Sequence, residues 1–290
     1  MKFNQIYVPI TATPFRKNVS HVEYEPCEEL KPYIRCYWGS EKLYTMKKTE
    51  VPDKDLIVPD TCMDVMFYIN YTDNKIESRF SGINDSPFSM EEIRDRDMEM
   101  SIFAIRFYPW SVVMFSEDSM RQVKNILCSA EDYFSSLKKH MEPQLLEVLS
   151  MKERITVVEK FLINHIHLER QNSIFMEAVE KILFKRGNIK VLDLEKEIHT
   201  SGRQLERIFN ENMGLSPKQF SSMVRYQNLW RDIVCNRNLN IQDEVYNLGF
   251  TDQAHLLRTF KKYHTMTPAQ AREYAVKDVG FLQEPSLDRL

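Results

Sequence analysis

Leu205-Glu206-Arg207-Ile208-Phe209 with Gly214-Leu215-Ser216-Pro217 after it, and Leu256-Leu257-Arg258-Thr259-Phe260 with Thr265-Met266-Thr267-Pro268 after it, follow one plan. In both, arginine stands two residues before phenylalanine, and a hydroxyl side chain followed by proline closes the stretch. Ahead of the first, Val191, Leu194 and Ile198 recur at helical spacing until His199-Thr200-Ser201 interrupts them. Ser201 is a good N-cap for a new helix, since its hydroxyl can accept from an orphan backbone N–H. Leu205, Ile208 and Phe209 then form an apolar back, while Arg203, Gln204, Glu206, Arg207 and Asn210 point elsewhere and can all hydrogen-bond. Met213-Gly214-Leu215-Ser216-Pro217 predicts the stop, with glycine at C′.

Ile241, Val245 and Leu248 repeat the opening helix, and Gly249 closes it. Phe250 plugs the core, and Thr251 or Asp252 caps the next helix. There Leu256, Leu257 and Phe260 supply apolar contact, and Gln253, His255, Arg258, Lys261 and Lys262 supply donors. An apolar back with an Arg/Gln-rich front is what the major groove of DNA requires. Met223 to Cys235 predicts one helix holding the two units apart, and Thr267-Pro268 starts a closing helix. Two such recognition helices on a rigid spacer enter successive grooves on one face of the duplex, ~34 Å apart.

The remaining composition fits that frame. A chain of 290 residues is long for one domain and comfortable for two. Its 43% hydrophobic content is enough to bury real cores, and only 7 glycines argue against a loop-rich or fibrous protein. From Lys185 to Lys277 there are 15 Lys and Arg against 10 Asp and Glu, or +5, which leaves −8 for the rest of a chain of net charge −3. An acidic front and a basic rear suit a sensor joined to a DNA-binding module. No apolar run approaches the ~20 residues a bilayer demands, and Met1 to Gln5 open no signal-peptide pattern. The expected location is the cytoplasm, with no membrane partner. Cys27, Cys36, Cys62, Cys128 and Cys235 are odd in number and form no C-x-x-C, which argues against a disulfide framework or zinc finger.

The front half reads as antiparallel β. Strands are expected at Leu56–Asp60, Met63–Asn70, Ser78–Ile83 and Met100–Tyr108, the last apolar on both faces as inside a cupin-like barrel or a sandwich. Trp38, Phe67, Tyr68 and Trp110 are candidates to line a ligand pocket, against the plainer reading as core. Helices are expected at Ala130–Lys139, Pro143–Leu149 and Lys152–His167. In the last, Ile155, Val158, Phe161, Leu162 and Ile166 make a stripe for its own domain or for a second copy. Leu168 to Ser173 is the candidate linker. The expected architecture is multidomain α+β: a β-rich N-terminal domain over 1–128, a helical connector over 129–172, an all-α domain with two helix-turn-helix units over 173–277, and a tail over 278–290.

Taken together, Leu205-x-Arg207-x-Phe209, Gly214-x-Ser216-Pro217, Gly249-Phe250, Arg258-x-Phe260-Lys261-Lys262 and Thr267-Pro268 resemble the AraC/XylS family of bacterial transcription regulators over about 100 residues. The resemblance implies recognition helices at Ser201–Asn212 and Asp252–Lys262, with Arg203, Glu206, Arg207, Gln253, His255 and Arg258 at the usual contact positions. It implies promoter DNA and RNA polymerase as partners and activation as the direction of control, and it leaves open a small-molecule effector and a homodimer. More loosely, Glu28-Leu30-x-Pro32-Tyr33-Ile34-x-Cys36-Tyr37-Trp38 and Pro59-Asp60-x-x-x-Asp64-Val65-Met66-Phe67 resemble a β-rich domain found in some members. The chain departs from the pattern at Glu195, His199, Glu244, Thr265 and Ala271, which lie mostly in the supports of the helices. Glu206 departs on the reading face, where a carboxylate suits a cytosine amino group better than a phosphate.

Two rival readings make the chain a catalyst or acceptor with an accessory DNA-binding domain. A β-barrel metalloenzyme wants clustered His and carboxylates, yet the β region offers only His21, and the His165-x-His167 pair is spaced to face apart on a helix. There is no nucleophile elbow, phosphate-binding glycine loop or H-E-x-x-H. A thiol-reactive alkyl acceptor would use Cys62, whose neighbours Asp60 and Asp64 raise a thiol's pKa and blunt it. The expectation is therefore no enzyme, no cofactor and no metal.

Overall fold

The structure, a computed structural model, describes residues 3–10, 21–94, 96–236 and 239–278. Its front half is built on alternation. Strands β1 (His21–Tyr24), β2 (Ile34–Ser40), β3 (Tyr44–Met46), β4 (Thr49–Ile57), β5 (Met63–Asn70), β6 (Lys75–Ser81), β7 (Phe88–Arg94), β8 (Met98–Phe107) and β9 (Leu127–Ser129) are joined in antiparallel ladders. The main sheet runs β1-β2-β8-β5-β6-β9, with β3 on the outer end of β8, while β4 and β7 pair as a separate two-stranded sheet. Among the described residues the ladder does not return from β9 to β1, so the sheet is open rather than closed into a barrel.

Expected and observed strands coincide at Met63–Asn70 and nearly so at Met98–Phe107, where every residue from Met100 onward is buried. The strand expected at Leu56–Asp60 instead ends at Ile57 and begins at Thr49. In β5, Met63, Val65, Phe67 and Ile69 face the main core, joined by Tyr37 from β2 and by Phe103, Ile105 and Phe107 from β8. The opposite face holds a buried ion pair. Arg106 donates to both Asp64 oxygens (Nε 2.8 Å, Nη2 3.0 Å) and lies 3.1 Å from Asp60. This gives the Asp60-x-x-x-Asp64 spacing a structural role, since an unpaired buried guanidinium would be costly.

Two helices close the front half. Helix α1 (Glu131–Glu147) runs through Pro143, which corrects the expected break between Lys139 and Pro143. Leu137, Met141 and Leu145 form one buried stripe across the proline, and their packing offsets the missing N–H donor. Helix α2 (Met151–Asn164) opens with a capping box between Ser150 and Glu153. Its Val158 and Leu162 are buried against the chain's own core, and Ile155, Phe161 and Ile166 pack beside them. Arg154 is fully buried and donates to Ser101 (2.8 Å), Tyr71 (2.8 Å) and the Val148 carbonyl (3.1 Å).

The rest is helical: α3 (Ser173–Phe184), α4 (Val191–Ile198), α5 (Gly202–Met213), α6 (Pro217–Cys235), α7 (Ile241–Asn247), α8 (Gln253–His264) and α9 (Pro268–Asp278). No helix among the described residues is long and apolar enough to cross a membrane.

Candidate nucleic-acid interface

The first helix-turn-helix unit is α4 and α5. Leu194 and Ile198 bury one face of α4, and His199 ends it in the left-handed region at φ +53°. That conformation costs a residue with a Cβ more than it costs glycine. Ser201 then caps α5, accepting from the Gln204 N–H at 3.4 Å. Leu205, Ile208, Phe209 and Met213 are buried, and Phe209 meets Phe175 of α3 edge-on at 5.0 Å. Arg203, Gln204, Glu206, Arg207 and Asn210 are all exposed.

The second unit, α7 and α8, repeats this with different parts. Asp252, not Thr251, caps α8, accepting from the His255 N–H at 2.6 Å. Leu256, Phe260 and Tyr263 are buried, whereas Gln253, Arg258, Lys261 and Lys262 are exposed and His255 is half-buried against Phe250. Gln253 accepts from Gln242 of α7 at 2.9 Å, and the Lys262 ammonium lies 4.9 Å from the Tyr263 ring. The exits match as well. Ser216 and Gln219 form a reciprocal capping box ahead of Pro217, and Thr267 and Gln270 form the same box ahead of Pro268. Helix α6 separates the units. It begins at Pro217, six residues before the expected Met223, and its Tyr226, Leu229 and Trp230 are fully buried.

A helix-turn-helix domain family matches residues 194–274, which takes in α4 to α8 and the start of α9. The Msm operon regulatory protein of Streptococcus mutans is 27% identical over 122 residues, 40% of this chain and 43% of its own length. The chain carries an AraC-type helix-turn-helix domain over residues 194–274. The match therefore spans less than half the length of that curated relative. Among solved structures, an AraC-type DNA-binding domain from Chromobacterium violaceum is 23% identical, with 36% of this chain and 93% of that one covered and a TM-score of 0.31. ToxT from Vibrio cholerae with bound unsaturated fatty acid is 13% identical, with 84% and 96% covered and a TM-score of 0.40. A family described as a domain of unknown function (DUF6597) matches residues 22–129.

The four aromatic candidates of the front half do not converge on one pocket. Residues adjacent in a strand point to opposite faces. Phe67 therefore sits in the main core with Trp110, and both are buried. Trp38 and Tyr68 lie on the other face, half-buried, where the Trp38 indole N–H donates to Asp64 at 3.0 Å and the Arg106 guanidinium lies 5.7 Å from the ring. A shallow depression on that face is lined by Pro9, Glu23, Arg35, Cys36, Asp60, Cys62 and Arg106, none of them among the four. Burial first, and the nearby Asp60 second, push the Cys62 thiol well above its usual range, so it holds little thiolate to react. Among the described residues no group of His, Cys, Asp and Glu is arranged to hold a metal ion.

Sequence reading missed how the helix-turn-helix units meet the front half. Gln227 of α6 is buried with both ends satisfied: it donates to the Pro59 carbonyl at 2.7 Å and accepts from the Ile10 N–H at 2.9 Å. Arg231 donates to the Val8 carbonyl. At the end of α5, the Met120 N–H donates to the Glu211 carbonyl at 2.8 Å. Gly214, at φ +76°, lies so close that a Cβ would stand 2.8 Å from Val123 Cγ2 and 2.9 Å from the Met120 carbonyl oxygen. The Gly214-x-Ser216-Pro217 signature thus serves a docking surface as well as a helix stop. Only the stop is legible locally.

Proposed function

We propose that this chain binds double-stranded DNA and regulates transcription, with α5 and α8 entering two successive major grooves. The observation that carries the reading is the duplicated unit: two capped helices with buried apolar backs, each followed by the same capping box and separated by one buried helix. Arg203, Gln204, Arg207 and Asn210 of α5, with Gln253, His255 and Arg258 of α8, are the base-reading and positioning groups. Ser201 and Asp252 hold the two helix N-termini, and Glu206 favours a cytosine edge. Lys261 and Lys262 neutralise phosphates, which makes affinity fall with salt. Activation is the direction that the family resemblance favours.

Fluorescence anisotropy of the full chain on the duplex it enriches most from a random pool tests the proposal. Arg207→Ala and Arg258→Ala each weaken binding by about 1–3 kcal/mol. Unchanged affinity in both removes these helices as the reading elements.

A further inference from the structure

Arg203, Arg207 and Glu211 stand four residues apart along one exposed edge of α5. The Glu211 carboxylate ends this row, and it has two claimants. Arg207, one turn back, reaches it with Nη1 3.3 Å from each oxygen. Arg121, from the front half and ninety residues away in sequence, donates to the same carboxylate through Nη2. Both guanidinium groups are more than half exposed, at 57% for Arg121 and 59% for Arg207, while Glu211 is 27% exposed.

Arg121 is held in place by its backbone. Met120, before it, donates to the Glu211 carbonyl and is itself buried. Gln122 and Asn125 take left-handed conformations at φ +65° and +58°. The Asn125 side chain pins the turn to Asp85, accepting from its N–H at 2.9 Å and donating to its carboxylate at 2.8 Å. Asp85 in turn faces Gln219 of α6 at 3.4 Å.

A carboxylate beside a DNA-reading arginine is unfavourable twice. It repels phosphate, and it draws the arginine along the helix rather than outward into the groove. We propose that Arg121 is a positioning residue for DNA recognition: by taking the Glu211 carboxylate it releases Arg207 to the duplex. The first unit's affinity then depends on a side chain outside the helix-turn-helix domain. The inference rests on the DNA-binding reading above.

The test is a set of full-length variants titrated on the most enriched duplex across a range of salt. Arg121→Ala weakens binding about 5- to 10-fold, and Arg121→Lys, which keeps a charge at the same place, retains most of the affinity. Glu211→Gln restores the Arg121→Ala chain to within about twofold of Glu211→Gln alone, and Arg121→Ala has no further effect on Arg207→Ala. Two results overturn the proposal. One is a loss that Glu211→Gln does not restore, with a log–log salt slope shallower by about 0.9, which would make Arg121 a direct phosphate contact. The other is a silent Arg121→Ala where Arg207→Ala weakens binding. If Arg207→Ala and Arg258→Ala are both silent, the DNA-reading assignment has failed and this inference falls with it.

Discussion

The two helix-turn-helix units share a plan and differ in what supports them. The first is braced by the front half through Met120, Arg121 and Val123 against Glu211 and Gly214. The second packs chiefly on α6 and α9. Where the first buries Leu194, the second buries Glu244. That carboxyl is pushed above its usual range by burial and by Asp232 beside it, and Asp232 is itself ion-paired with Arg186. Where the first ends α5 with Gly214, the second ends α8 with Thr265 at φ +64°. The charges differ too. Helix α5 carries two arginines and two glutamates, whereas α8 carries Arg258, Lys261 and Lys262 with no carboxylate. The first unit is thus braced by the front half and nearly neutral along α5, while the second packs on α6 and α9 and is basic along α8.

Core truncation gives the largest effect and the sharpest test of that contrast. Phe209→Ala and Phe260→Ala each cost about 3–5 kcal/mol. Calorimetry of the full chain should show Phe209→Ala lowering the main transition, because α5 is bonded directly to the front half at Met120 and Arg121. Phe260→Ala should split off an early transition of the second unit. A single shared shift in both variants breaks the comparison.

Glu244→Leu comes next, because it replaces a buried carboxylate with the residue type the first unit uses. The second unit gains about 1–3 kcal/mol, read as a rise in its transition. Its pH dependence has a worked sign. A raised carboxyl pKa means that Glu244's contribution is complete below its ordinary 4.5 and is lost as pH rises through the folded value. His264, also buried, is held by that burial at about 3 instead of 6.5, so its contribution is present above 6.5 and is lost as pH falls toward 3. Melting the full chain between pH 4 and 8 should move the second unit on both flanks, and Glu244→Leu should flatten only the alkaline one.

The smallest effects are at the helix ends. Thr265→Gly relieves a β-branched residue in the left-handed region and stabilises by about 1 kcal/mol, and His199→Gly does so by rather less. Equal gains at the two positions would argue against that difference.

Much of the rear half was legible because its signals are local. Caps such as Ser201, apolar spacing such as Leu205-Ile208-Phe209, and the repeated hydroxyl-proline exits act within a few residues. His199 and Glu244 could be picked out from the pattern for the same reason. The reach of Arg121 to Glu211, and of Gln227 to Pro59, could not, because nothing near either residue encodes a partner so distant in sequence. In the front half, Phe67 and Tyr68 are neighbours in sequence but sit on opposite faces of a sheet. A list of aromatics therefore says little until the strand register is known. Pro143 misled in the other direction, since a continuous buried stripe carried α1 across it.

The central claim is that both units read DNA. Selection of bound sites from random duplex by the full-length chain tests it most directly. The account predicts enrichment of a bipartite motif whose half-sites are about one helical turn apart. Enrichment of one half-site alone, or of none at low salt, would contradict it.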